Sequence, residues 1–185
     1  MIIGLTGGFA SGKSEAAAYL KQKYGFKILV FSDVLRQEAK KRHIEPTREN
    51  LQQLGIKLRE ESGDDAIIAL KLITLIKGNA AVDGVRNPSE IKALRRAADF
   101  FLIGIEASPI VRFRRLAMRA RGGDPLSYEE FLTLDTKELD GDVAAFAIRK
   151  CLTMADATIR NESALEQFFK AIDDTLQPMM RSSQR

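Results

Sequence analysis

Residues 7–14 read Gly-Gly-Phe-Ala-Ser-Gly-Lys-Ser and fill every fixed position of the pattern G-x-x-x-x-G-K-[ST]. An apolar run at residues 1–6 precedes them, and a helical pattern with Ala16, Ala17 and Leu20 on one side follows. Strand, glycine turn and helix in that order leave few folds open. Glycine lets the backbone curl so that successive N–H groups point inward at an anion. The start of the following helix adds the positive end of its dipole. The implied ligand is a nucleoside triphosphate, ATP, with Mg²⁺. Gly7, Gly8, Phe9, Ala10, Ser11 and Gly12 supply the cradle, Lys13 reaches the β- and γ-phosphates, and Ser14 offers a hydroxyl to the metal.

The rest of the chain alternates strand and helix. Apolar runs at 27–31, 80–83, 100–106 and 157–160 read as further strands. Helical spacing occupies 12–24, 34–42, 47–61 and a segment capped by Asp64 that reaches 77. Asn87-Pro88-Ser89-Glu90 combines a cap, a first-turn proline and an acidic third position, and starts a helix to about residue 98. Ser108-Pro109 starts the next helix, which Gly122-Gly123 ends. Ser127 and Glu130 start another, a helix from about residue 143 follows, and Ser163 caps a last one ending before Pro178. The tail from residue 181 is expected to fray. This alternation predicts an α/β, three-layer fold: about five parallel strands with helices on both faces, plus a mobile helical lid and an acceptor-binding region. Ligands of such sheets bind at the carboxyl ends of the strands.

The chain of 185 residues is expected to form one domain, with acceptor-binding helices at about 33–77 and a lid at about 110–140. No apolar run reaches the roughly 18–20 residues of a membrane span, and the N-terminus has no signal-peptide pattern. One cysteine, Cys151, and one histidine, His43, exclude an internal disulfide and a Cys/His metal cluster. A cytoplasmic setting is expected. Cys151 lies on an apolar helical pattern and reads as buried, and His43 as a surface residue at a helix end. The sequence carries no signal for an oligomeric state.

Beyond the loop, Asp83 ends the third strand, where a carboxylate beside the magnesium is expected. Gly84 stands where motor-type ATPases place a water-activating glutamate, which favours transfer to a bound acceptor over hydrolysis. Arg36 and Arg86 should face the ligand edge and grip an acceptor phosphate, with Asp33 orienting or deprotonating an acceptor hydroxyl. Arg112, Arg115 and Arg119 fall together beside an apolar stripe of Phe113, Leu116, Ala117 and Ala120. Aligned guanidiniums repel unless an anion sits among them, so this helix reads as a lid over the triphosphate, hinged at residues 122–125. Its other reading is a basic face touching nucleic acid.

Residues 3–7 running into the loop resemble the opening of dephospho-CoA kinases. The run Ala155-Asp156-Ala157-Thr158-Ile159-Arg160-Asn161 resembles their late A-D-x-x-I-x-N segment, which implies that Asn161 lies near the nucleotide base. Ser32-Asp33-Val34-Leu35-Arg36 resembles the adenylate-kinase acceptor motif, and Asp83-Gly84-Val85-Arg86 resembles that family's D-G-x-x-R segment with the arginine one place early. The D-x-D acceptor motif of dephospho-CoA kinases is reduced to Ser32-Asp33. The chain is thus similar to P-loop kinases of the nucleoside-monophosphate kinase and dephospho-CoA kinase superfamily. It resembles most the adenylate-kinase-related proteins common in archaea and the P-loop module of deoxycytidylate deaminase fusions, through residues 47–51 and 83–90. The resemblance implies ATP-dependent phosphorylation of a small molecule of the nucleotide, deoxynucleotide or dephospho-CoA type. The alternative is a nucleotide-binding regulatory or sensor module with a protein or nucleic-acid partner.

Overall fold

The computed structural model describes residues 1–97, 99–119, 124–141 and 146–182. In chain order the elements are β1 (Ile2–Thr6), α1 (Lys13–Tyr24), β2 (Lys27–Val30), α2 (Phe31–Lys41), α3 (Arg48–Ser62), α4 (Ile67–Ile73), β3 (Ala80–Asp83), α5 (Pro88–Ala97), β4 (Phe100–Glu106), α6 (Pro109–Arg119), α7 (Tyr128–Asp140), α8 (Ile148–Thr153), β5 (Ala157–Arg160) and α9 (Leu165–Ser182).

Several boundaries differ from the sequence reading. Helix α2 begins at Phe31, so Ser32 and Asp33 lie inside its first turn. Helix α4 stops at Ile73, well short of residue 77. Helix α9 runs through Pro178 to Ser182, so residues 181 and 182 are helical where a frayed tail was expected. A proline so near a helix end forfeits one backbone bond and leaves little helix beyond to misalign. Residues 122 and 123, half of the expected hinge at 122–125, and residue 143 lie outside the described residues; the helix expected from about 143 is described only from Ile148, as α8.

All strand pairings are parallel, in the order β2-β3-β1-β4-β5. Successive strand residues point to opposite faces, and both faces are covered. Ile2, Ala80, Val82, Phe100 and Leu102 pack against Val34, Ile68, Leu72, Ile91, Leu94 and Cys151 from α2, α4, α5 and α8. Ile3, Leu5, Ala81, Ile103 and Ile105 pack against Ala16, Ala17 and Leu20 of α1 and Phe168, Ile172 and Leu176 of α9. Each large side chain so buried contributes about 1.5–3 kcal/mol. Gly4 makes the central strand fit: an added Cβ would stand 2.5 Å from Phe100 Cζ. A smaller cluster of Ala39, Leu51, Leu54 and Leu58 joins α2 to α3. Among the described residues no helix is long and apolar enough to cross a membrane.

This topology places β1 between β3 and β4, so the loop after β1 opens where successive crossovers leave in opposite directions. That is the crevice where open α/β sheets bind ligands.

Candidate active site

The loop at residues 7–14 is built from positive φ angles: 147° at Gly7, 55° at Ala10 and 109° at Gly12. A Cβ at Gly7 would fall 2.1 Å from the Ile105 carbonyl oxygen, and one at Gly12 would fall 2.2 Å from Asn161 Nδ2. Glycine is therefore required at both places by conformation and by space. Side chains remote in sequence then fix the loop's carbonyls. Arg112 Nη1 donates to the Phe9 carbonyl at 3.3 Å, and Asn161 Nδ2 donates to the Ser11 carbonyl at 2.9 Å. In a trans peptide the C=O and the next N–H point oppositely. Holding these two carbonyls therefore turns the amides of Ala10 and Gly12 away from Arg112 and Asn161.

Lys13 lies across the loop, its Nζ donating to the Gly7 and Gly8 carbonyls at 2.8 Å each. Burial, then the nearby Arg86 charge, lower its pKa to about 8, while Asp83 and Glu138 act in the opposite sense. Ser14 Oγ donates to Asp83 Oδ2 at 2.7 Å, and Asp83 is buried. Magnesium takes one or two carboxylates together with substrate phosphates and water. A hydroxyl beside one carboxylate at the mouth of a phosphate cradle is such a donor set. Thr6 Oγ1 donates to the Val85 carbonyl at 2.8 Å, fixing the turn after Asp83 to β1.

From this loop a cleft of about 550 Å³ extends across the ends of β2 and β3 toward α2 and α3. Lys13, Ser14 and Asp83 line its mouth, with Arg36, Arg48, Arg86 and Arg119 around it. Leu35, Leu51, Gly55 and Ile68 form an apolar wall, and Gln52 and the Arg59–Glu90 pair add polar groups. That pair is buried: Arg59 Nη2 donates to Glu90 Oε1 at 3.0 Å, while Glu90 Oε2 accepts from the amides of Arg86 and Asn87 at 3.1 Å. Burial raises the Glu90 pKa above the ordinary carboxylate value, against these opposing donors.

Several sequence expectations change here. Asp33 is exposed and does not line the cleft; it pairs with Arg36 Nη1 at 2.7 Å. Helix α2 starts at Phe31, and position 33 in its first turn faces outward. The arginines of α6 are not an uncompensated cluster awaiting an anion. Arg112 is buried in a bidentate pair with Asp135 of α7. Arg115 Nη2 donates to the Asn161 carbonyl and Oδ1 at 2.9 and 3.1 Å, and Arg119 pairs with Asp124 at 2.8 Å. Of the three, only Arg119 lines the cleft, while Arg112 and Arg115 brace the loop from outside. The expected apolar stripe also shifts: Leu116 and Arg112 are the buried positions of α6, Ala117 is exposed, and Ala120 lies outside the described residues. Asn161 sits beneath the loop, in contact with Ser11 and at the position a Gly12 side chain would fill. Cys151 is buried as expected, and burial pushes its thiol up to about 12, which makes it inert.

Arg48, Gln52, Arg59 and Glu138 carry no role in the sequence reading, yet all four line the cleft. Beyond its place in the 47–51 segment, Arg48 had one signal: a cation at the first residue of a helix opposes the helix dipole.

Together, the parallel sheet, the phosphate loop after its central strand and the flanking helices define a P-loop NTPase fold of kinase-like architecture. Residues 6–131 match a family model described as AAA domain. UPF0200 protein MJ1399 of Methanocaldococcus jannaschii is 35% identical over 191 residues, covering 100% of this chain and 93% of that protein. The chain belongs to the AAA domain family and, by this relative, to the UPF0200 proteins. Among solved structures, shikimate kinase from Bacteroides thetaiotaomicron aligns with TM-score 0.62 and 12% identity over 97% of this chain and 98% of that one. A gluconokinase from Sinorhizobium meliloti aligns with TM-score 0.55 and 16% identity over 99% and 97%. At such identities the likeness bears on the fold.

Proposed function

We propose that the protein transfers the terminal phosphate of ATP to a small, phosphate-bearing acceptor of the nucleotide type, in the cytoplasm. One observation carries the reading: the phosphate loop and an arginine-lined chamber form a single continuous cleft, with Ser14 and Asp83 at the join. A hydrolase needs no such second chamber. Shikimate kinase and gluconokinase structures of the same fold support transfer to a small molecule. The resemblance of residues 32–36 and 83–90 to adenylate-kinase segments supports a nucleotide or deoxynucleotide acceptor.

In this scheme Lys13 and the loop amides hold the triphosphate, and Ser14 and Asp83 hold its Mg²⁺, which supplies charge neutralisation at the β- and γ-phosphates. Arg36 and Arg86 hold the acceptor's phosphate, the helices at about 33–77 forming its chamber. The segment at about 110–140 closes as a lid, with Arg119 reaching the phosphates while Arg112 and Arg115 stiffen the loop. An acceptor oxygen forms the new bond to the γ-phosphorus. The bond from that phosphorus to the bridging oxygen breaks, and its electron pair leaves with ADP.

The carboxylates of the cleft favour an oxyanion acceptor over an alcohol. Asp83 accepts from Ser14, Glu90 from three donors, Asp124 from Arg119 and Glu138 from Arg48. Each has a partner, and an attacking phosphate oxygen needs no base. A nucleoside monophosphate meets that condition; dephospho-CoA, phosphorylated on a hydroxyl, does not. The regulatory alternative rested on the basic helix, whose Arg112 and Arg115 face the loop.

The test is ADP formation with Mg-ATP and a panel of nucleoside and deoxynucleoside monophosphates, with dephospho-CoA included. A monophosphate is expected to be phosphorylated, and Lys13→Ala to lower turnover by several orders of magnitude. ATP binding with no acceptor phosphorylated under varied metal conditions would overturn the reading.

A further inference from the structure

We propose that Arg48 is a ligand for the terminal phosphate of the bound nucleotide, held on Phe9 and Glu138 until that phosphate arrives. The proposal rests on the phosphotransferase reading and extends it to a residue outside the phosphate loop.

Arg48 opens α3, yet its guanidinium reaches back to the phosphate loop. Its Cζ lies 4.3 Å from the centre of the Phe9 ring, and Nη2 donates to Glu138 Oε1 at 2.5 Å. Glu138 comes from α7, and its side chain is only 11% exposed. It is also one of the two carboxylates that support the charge on Lys13. Phe9, Lys13, Arg48 and Glu138 all line the cleft. A loop aromatic, the loop lysine, a cation from the acceptor side and a carboxylate from the lid side therefore share one wall.

The arginines of this region divide by what they have left to give. Arg59 and Arg112 are buried, and each spends its guanidinium on several acceptors. The Arg48 side chain is 48% exposed, and its hydrogen bonding among the described residues is the single donation to Glu138. A planar fork with five N–H groups has donors to spare in that arrangement. Stacking on an aromatic face holds the guanidinium plane without consuming those donors. Glu138 thus serves as a surrogate anion. A phosphoryl group brings more charge and three acceptor oxygens, so it can engage the guanidinium bidentately and displace a carboxylate held by one hydrogen bond.

The experiment compares the affinities of Mg-ADP and of Mg-adenylyl imidodiphosphate, a non-hydrolysable triphosphate, by titration calorimetry on the full chain. No acceptor is needed. Arg48→Ala is expected to weaken the triphosphate analogue roughly tenfold and leave ADP within about twofold. Glu138→Gln, which keeps a hydrogen-bonding side chain but removes the competing charge, is expected to tighten the analogue severalfold and to change ADP affinity by clearly less. Tightening by loss of a buried ion-pair partner is a result that a merely structural role does not produce. Equal effects on both nucleotides, or on neither, overturn the assignment. Should Arg48→Ala fail to fold, Arg48→Lys keeps the charge, loses the fork, and supports the same comparison. Failure of the wild type to bind either nucleotide removes the phosphotransferase reading as well. Normal binding with an inert Arg48 removes only this inference.

Discussion

Lys13 is the residue on which ligand and fold make opposite demands. Its ammonium is buried against two carbonyls near Arg86, and its pKa falls from 10.5 to about 8. The unfolded chain keeps that proton up to the ordinary value. Between about pH 8 and 10.5 the unfolded state therefore binds more protons, and stability rises with pH. Below about 8 both states are charged, and the desolvated ammonium costs the fold at most about 3 kcal/mol. Lys13→Met should then be more stable than the wild type at pH 7, with the gap closing from pH 8 to 10.5; urea midpoints across that range check it, and a constant gap sinks the idea. On the proposed function, a bound triphosphate holds the lysine charged. Binding at pH 8 should accordingly take up about half a proton, read from calorimetry in buffers of different ionisation enthalpy. The place of Lys13 in the loop was legible because its motif is contiguous. That of Asn161 as a prop under Ser11 was not, since 150 residues separate the partners.

Among the elements, α6 shows where helical periodicity misleads. Charged residues are seldom fully buried unless paired, so a wheel assigns three arginines to a solvated face. The structure instead buries Arg112 against Asp135, a residue of α7 that no local pattern connects to it. By contrast β3 and β4 match their sequence bounds, because strands buried on both faces are contiguous apolar runs cut by turn residues. The buried pair makes a prediction for α6 and α7 as a unit. Asp135→Ala leaves an uncompensated guanidinium and should lower stability by about 3–5 kcal/mol. Arg112→Met combined with Asp135→Leu should recover most of that loss, because an apolar pair avoids the desolvation cost. The double variant still lacks the donor to the Phe9 carbonyl, so it should bind Mg-ATP more weakly than its stability implies. Chemical denaturation and nucleotide titration of the same samples separate the two effects. A double variant as unstable as Asp135→Ala would show that the pair is not what docks these helices.

At the scale of the whole molecule, strand and helix alternation made the parallel sheet and its ligand edge legible, but not the far wall of the cleft. That wall gathers Leu35, Leu51, Gly55, Arg59, Ile68 and Glu90 from four helices; the segment 33–77 was expected to bind the acceptor, but no local pattern singled out which of its side chains would meet. Gly55 is the position from which to test it. Glycine inside a helix costs roughly 0.5–1 kcal/mol relative to alanine, so its presence in α3 calls for a spatial reason. A Cβ there would stand 3.4 Å from Arg59 Nη1, 3.5 Å from Ile68 Cδ1 and 3.7 Å from Leu35 Cδ1, all cleft residues. Gly55→Ala therefore fits in ordinary contact and should stabilise the helix slightly. Gly55→Leu cannot stop at that contact, and its extra atoms must enter the chamber. Overpacking of about 1–3 kcal/mol is partly offset by the gain in helix propensity, so the variant should fold. If the acceptor occupies this chamber, Gly55→Leu lowers kcat/KM for the acceptor at least about tenfold, on the scale expected when lost contacts cost a bound group over 1.4 kcal/mol. Mg-ATP affinity should stay at the wild-type value, because the loop at residues 7–14 and the Ser14–Asp83 pair lie at the other end of the cleft. Steady-state kinetics beside nucleotide titration reads both. Unchanged acceptor kinetics in a folded Gly55→Leu protein would place the acceptor elsewhere, and a parallel loss of ATP affinity would mean that the two ends of the cleft are not independent sites.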